Sequence, residues 1–117
     1  MAIDRLLAVV PVSDVAVAAD WYERMLGVVP RNRPMHTLVE WQVTDSGWVQ
    51  VFHDVERAGA GLLSLSVDDL DGQVAALSAR GFEPGPVVEA DKGVRLSSLV
   101  DPDGNRITFI GDFREDY

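Results

Sequence analysis

Three side chains alternate along one short run: Trp48, Gln50 and Phe52 in Trp48-Val49-Gln50-Val51-Phe52. Extended backbone sends successive side chains to opposite faces, so these three share one face while Val49 and Val51 share the other. Two rings around a single amide suit stacking and hydrogen bonding to a planar organic molecule. Trp41, one strand earlier, is expected to add another ring. The same alternation groups Arg106, Thr108 and Ile110 near the end of the chain, Leu62, Ser64 and Ser66 in its middle, and Arg5, Leu7 and Val9 at its start. The chemistry on offer is apolar contact with scattered polar groups to fix orientation.

Bond-breaking chemistry finds little to work with. The chain has no cysteine, which excludes disulfides, thiolate metal sites and a cysteine nucleophile. Its two histidines are His36, beside Pro34 at a strand start, and His53, three residues beyond Gln50 and hence on the opposite face of that strand. Both read as solvent-facing residues near loops. There is no GxSxG run, no serine with a plausible histidine partner and no phosphate loop. Glu40, Glu89 and Arg95 stay open as acid–base groups, although no two carboxylates are placed to divide the roles.

Nineteen acidic against ten basic residues leave a net charge of −9. That charge repels a polyanion, so no nucleic acid partner is expected. It would attract a cationic ligand, and it serves solubility equally well. The apolar run Leu6–Val12 is short, contains Pro11 and is cut off by Ser13-Asp14. It reads as a buried strand rather than a secretion signal or membrane span, giving a cytoplasmic expectation with no membrane partner.

The elements that position these residues repeat. Val12-Ser13-Asp14-Val15 opens an apolar-periodic segment ending at Gly27, and Val67-Asp68-Asp69-Leu70 opens another ending at Gly81, 55 residues on. Asp14 or Ser13 caps the first helix, with face Val15, Ala18, Ala19, Tyr22 and Leu26. Asp69 caps the second, with face Leu70, Val74 and Leu77. Strands are expected at 5–12, 28–33 (ended by Pro34), 38–43 and 48–53, then at 62–67, 82–88, 94–100 and 106–110. The last two pair around Asp101-Pro102-Asp103-Gly104-Asn105, and 111–117 reads as a polar tail. The 117 residues thus form one domain: module one at about 3–54, a linker at 55–61 and module two at about 62–111. The expected class is α+β: two βαβββ modules forming a curled, mixed eight-stranded sheet, a cup with both helices on its convex side.

These strings resemble a known family. Val10-Pro11-Val12-Ser13-Asp14 with Asp20-Trp21-Tyr22-Glu23-Arg24-Met25-Leu26-Gly27 is similar to the first module of the vicinal oxygen chelate superfamily, which holds glyoxalases, extradiol dioxygenases and bleomycin-resistance proteins. Ser66-Val67-Asp68-Asp69-Leu70-Asp71 resembles the start of its second module, and Asp101-Pro102-Asp103-Gly104-Asn105-Arg106-Ile107 its closing hairpin. The resemblance covers residues 5–110. It implies one divalent metal held by His, Glu or Gln at four strand positions, which fall here on Leu7, Gln50, Leu62 and Thr108. Two leucines, an amide and a hydroxyl do not make such a site, so no metal and no cofactor is expected.

The resemblance then points to the metal-free, bleomycin-resistance-like branch. The Pro11 region further implies a homodimer with an exchanged N-terminal arm. The expected ligand-binding set is Leu7, Trp41, Trp48, Gln50, Phe52, Leu62, Ser64, Arg106 and Thr108. The expected function is sequestration of an aromatic or cationic natural product, with no catalytic residue assigned. Two alternatives stay open: a glyoxalase-like lyase, isomerase or dioxygenase with a non-standard site, and an interaction module whose cup is closed by side chains.

Overall fold

A computed structural model describes residues 2–113. The chain divides into two compact units, one of Met1–Gly61 with Asp101–Asn105, the other of Leu62–Val100 with the chain from Arg106 onward. The first unit runs β1 (Leu6–Val12), α1 (Val15–Leu26), β2 (Asn32–Met35), β3 (Leu38–Gln42) and β4 (Gly47–His53). The second runs β5 (Leu62–Ser66), α2 (Leu70–Ala79), β6 (Val88–Glu89), a single 3₁₀ turn at Asp91–Gly93, β7 (Arg95–Val100) and β8 (Arg106–Gly111). Each unit is a βαβββ module.

The eight strands form two four-stranded mixed sheets of the same topology, β1-β4-β3-β2 and β5-β8-β7-β6. In each, the first and last strands of the module pair in parallel and the remaining neighbours are antiparallel. Parallel neighbours need a long crossover, and each module spends its helix and two outer strands on it.

Local sequence explains the helix ends. The Asp14 side chain accepts from the Val17 N–H at 3.1 Å, and Asp69 accepts from Gly72 at 3.0 Å, satisfying otherwise orphaned donors. Gly27 closes α1 at φ +76°, a left-handed conformation that suits glycine. The buried face of α1 is Ala18, Ala19, Tyr22 and Met25. Met25 replaces the expected Leu26, which is only half-buried. These residues pack against β3 and β4, and with buried Val10, Val12, Val39, Trp41, Val49 and Val51 of the sheet they form the core of this unit. Leu63, Leu70, Leu77, Leu99, Ile107 and Phe109 form the corresponding core of the second unit.

Two strands depart from expectation. β2 lies at Asn32–Met35 rather than 28–33, and Pro34 sits inside it. An edge strand needs hydrogen bonds on one side only, and the register shifts between Asn32 and Met35, so the missing N–H of proline is tolerated. β6 is cut to Val88–Glu89 because Pro84 and Pro86 deprive 82–87 of donors, leaving one ladder-like bond from Gly85 N–H to the Ser98 carbonyl at 2.8 Å. Gly111 closes β8, and residues 114–117 of the expected tail lie outside the described residues.

The turn Asp101–Asn105 follows β7 in sequence but belongs to the first unit. Its two buried polar side chains explain why. The Asp101 carboxylate accepts four hydrogen bonds: Asp103 N–H and Asn105 N–H at 2.9 Å each, Tyr22 Oη at 2.7 Å and Asn105 Nδ2 at 2.8 Å. Asn105 uses its whole amide. Nδ2 also donates to the Pro11 carbonyl at 2.8 Å, while Oδ1 accepts from Gly59 and Gly61 at 3.0 and 2.7 Å. Gly61 has no side chain for a reason, since a Cβ there would lie 2.7 Å from Asn105 Oδ1 and 3.0 Å from the Pro11 ring. Ser13 adds an outer tie, donating its N–H and hydroxyl to the two carboxylate oxygens of Asp103.

Candidate functional site

In the first unit α1 covers one face of the sheet and leaves the other open. Strand register arranges the open face in rows. Leu7, Trp48 and Gln42 lie side by side across β1, β4 and β3; next come Val9, Gln50 and Glu40, extended by Asn32 of β2; then Pro11, Phe52 and Leu38. Leu7, Val9 and Phe52 are exposed, while Trp48, Gln50 and Glu40 are half-buried.

The middle row is polar and internally bonded. Gln50 Nε2 donates to Glu40 Oε2 at 2.7 Å, and Asn32 Nδ2 donates to Glu40 Oε1 at 3.0 Å. Each carboxylate oxygen accepts one of these bonds and keeps acceptor capacity toward the open side. Above the first row, the Arg5 guanidinium carbon stands 5.5 Å from the centre of the Trp48 ring, within cation–π range.

The second unit repeats the pattern with smaller groups. Leu62, Arg106 and Val100 form one row, Ser64, Thr108 and Ser98 the next, and Ser66, Ile110 and Leu96 the third. Ser98 Oγ and Thr108 Oγ1 lie 3.1 Å apart in a hydrogen bond. The row Val9–Gln50–Glu40 of one module thus becomes Ser64–Thr108–Ser98 in the other.

Leu7, Trp48, Gln50 and Phe52 therefore share the open face of one sheet, and Leu62, Ser64, Arg106 and Thr108 share one face of the other. Trp41 is a correction. It is fully buried, pairs with Val49 across the strands, packs on Tyr22 and donates Nε1 to the Val28 carbonyl at 3.1 Å. Alternation that sends Trp41 into the core sends its neighbour Glu40 to the open face, which is where the polar row comes from. The position opposite Gln50 in the hairpin was the available signal.

The four positions at which the resemblance expects metal ligands do not suit a divalent ion. Leu7 and Leu62 offer no donor atom, which leaves the Gln50 amide oxygen and the Thr108 hydroxyl, itself bonded to Ser98, as too few ligands for a divalent ion. Among the described residues no cluster of three His, Asp or Glu side chains is arranged to hold a metal ion. His36 and His53 are both exposed and both line a shallow hollow of about 380 Å³ with Ser13, Asp14, Val15, Ala16 and Thr37, on the helix side of the sheet.

Of the remaining acid–base candidates, Arg95 is engaged. Its Nη2 lies 2.7 Å from Asp71 Oδ1. The Arg95 guanidinium holds the Asp71 carboxyl below the usual carboxylate range, and Asp71 raises Arg95 in turn. Glu89 stands opposite Arg95 on the neighbouring strand.

Comparison with known proteins fits this geometry. The sequence pattern of the glyoxalase-like domain matches residues 7–110. A glyoxalase / bleomycin resistance protein from Catenulispora acidiphila superposes with a TM-score of 0.84 at 34% identity, covering 92% of this chain and 96% of that one. TnmS3, an antibiotic binding protein from Streptomyces sp. CB03234, superposes at 0.80 with 26% identity, covering 95% and 98%. A bleomycin-binding protein solved with bleomycin shares the fold, with a TM-score of 0.79 at 22% identity over 94% and 99% of the two chains. Among curated proteins, none matches. No helix among the described residues is long and apolar enough to cross a membrane.

Proposed function

Because this chain belongs to the glyoxalase-like domain family, we propose that it is a binding protein of that family, holding a mid-sized organic molecule without a metal and acting by sequestration. The observation that carries the reading is the open face of the first sheet, where Trp48 and Phe52 flank the polar row of Gln50 and Glu40 while leucine stands where a metal ligand would be needed. Rings with a few fixed polar groups suit an aromatic natural product. The likeness to an antibiotic binding protein supports the same ligand class.

A second copy of the chain completes the reading. Leu62 is 83% exposed, and Leu7, Val9 and Val100 are exposed as well, apolar side chains on open sheet faces that a second copy can cover. A homodimer covers such faces. Light scattering is expected to give twice the chain mass, and a monomer at micromolar concentration removes the homodimer.

A thermal-shift screen of antibiotics and aromatic metabolites tests the function. At least one compound is expected to raise the melting temperature in metal-free buffer, and a universal null result refutes sequestration. With such a compound in hand, Trp48→Ala is expected to weaken binding ten- to a hundredfold, about 1.4–2.7 kcal/mol, while urea unfolding stays cooperative. Loss of cooperativity would make Trp48 a core residue instead.

A further inference from the structure

Glu40 stands out once the open face is assembled. Its carboxylate is half-buried and fixed by two neutral amides, Gln50 at 2.7 Å and Asn32 at 3.0 Å. Among the described residues no cationic side chain pairs with it, although Arg24, Arg57 and Arg95 all sit beside other carboxylates. A carboxylate held in one orientation, partly desolvated and without a counter-charge, is preorganised for a cation from outside.

The surroundings narrow that cation. Glu40 faces Gln50 directly, so Trp48 and Phe52, two residues either way along β4, are its diagonal neighbours, at roughly 7–8 Å for such positions. The Trp48 ring already carries a guanidinium, that of Arg5, which stands in for a ligand's cation and shows that this surface accepts a flat delocalised charge. The second unit puts Ser98 at the position matching Glu40 and Thr108 at that of Gln50, so the charge is specific to the first module.

We infer that Glu40 is the specificity-determining residue of this face and selects ligands that carry an amidinium, guanidinium or amine next to an aromatic ring. This inference rests on the proposed binding function and deepens it. The cation binds the Glu40 carboxylate, the attached ring lies on Trp48 or Phe52, and Gln50 and Asn32 act as positioning residues that keep the carboxylate aimed outward. A neutral amide of the same shape gains the ring contact and an ordinary hydrogen bond to the carboxylate, without the charge-assisted part.

Benzamidinium and benzamide are a matched pair, close in shape and different in charge. Titrating each into ¹⁵N-labelled protein and following the side-chain amide signals of Gln50 and Asn32 reads binding at the site. Benzamidinium is expected to bind at least tenfold more tightly than benzamide, with both amides shifting. Glu40→Gln is expected to abolish that preference, and Glu40→Asp to restore part of it. Equal affinity of the two probes for the unaltered protein overturns the inference, as does a preference that survives in Glu40→Gln, or no shift with benzamidinium at tens of millimolar. Equal binding leaves the sequestration reading standing, because the aromatic face then works without charge selection. That reading falls only with the compound screen.

Discussion

Asp101→Ala is expected to lower the free energy of unfolding by about 3–5 kcal/mol, a large part of the 5–15 kcal/mol typical of a domain. The carboxylate is buried and accepts four hydrogen bonds, so its removal orphans the Tyr22 hydroxyl, one proton of the Asn105 amide and two backbone N–H groups together. A bond to a charged acceptor contributes about 1.5–3 kcal/mol, and water entering the space left behind offsets part of the sum. Urea denaturation at neutral pH measures the effect. Asp103→Ala, which cuts only the exposed tie to Ser13, is the control and is expected to cost less than about 1 kcal/mol. Equal losses in the two variants would refute a central role for Asp101.

Tyr22→Phe is expected to change how stability depends on alkaline pH. The Tyr22 phenol is raised far above its ordinary value of 10, chiefly because burial disfavours the phenolate, and further because it donates to the Asp101 carboxylate and feels that charge. A raised folded pKa gives stability that is complete below about pH 10. Above that the unfolded chain releases the Tyr22 proton while the folded chain keeps it, so stability falls by about 1.4 kcal/mol per pH unit. Phenylalanine has no proton to release. The variant should therefore start about 1–2 kcal/mol less stable at pH 7, through loss of the hydrogen bond, and lose less than the parent between pH 10 and 11.5. Tyr117 is common to both proteins and cancels. Parallel stability curves through that range would show that Tyr22 ionises normally in the fold.

Much of the architecture was legible because its signals are local. Asp14 and Asp69 announce helices by capping them, and Gly27 ends the first by accepting positive φ. The 55-residue echo doubles each inference, and the open-face residues of β1, β4, β5 and β8 followed from alternation once one residue per strand was placed. The misses are tertiary. Trp41 read as a ligand-facing ring because its type suits either face, and only pairing across the Thr44–Gly47 turn sends it inward. Pro34 read as a strand terminator because its edge position could not be seen. Asp101 and Asn105 read as turn residues, whereas their side chains hold Tyr22, Pro11, Gly59 and Gly61, partners up to 94 positions away.

That reach has a consequence for how the protein is made. The first unit's segment 1–61 leaves the ribosome well before Asp101 and Asn105 do. Until they arrive, the Tyr22 hydroxyl, the Pro11 carbonyl and the Gly59 and Gly61 amides must make do with water. The unit whose synthesis begins first thus waits for a turn that lies beyond most of the second unit, and a chain stopped short of Asn105 leaves it unfinished. One of the two matching modules depends on five residues that the chain supplies from within the other's stretch of sequence.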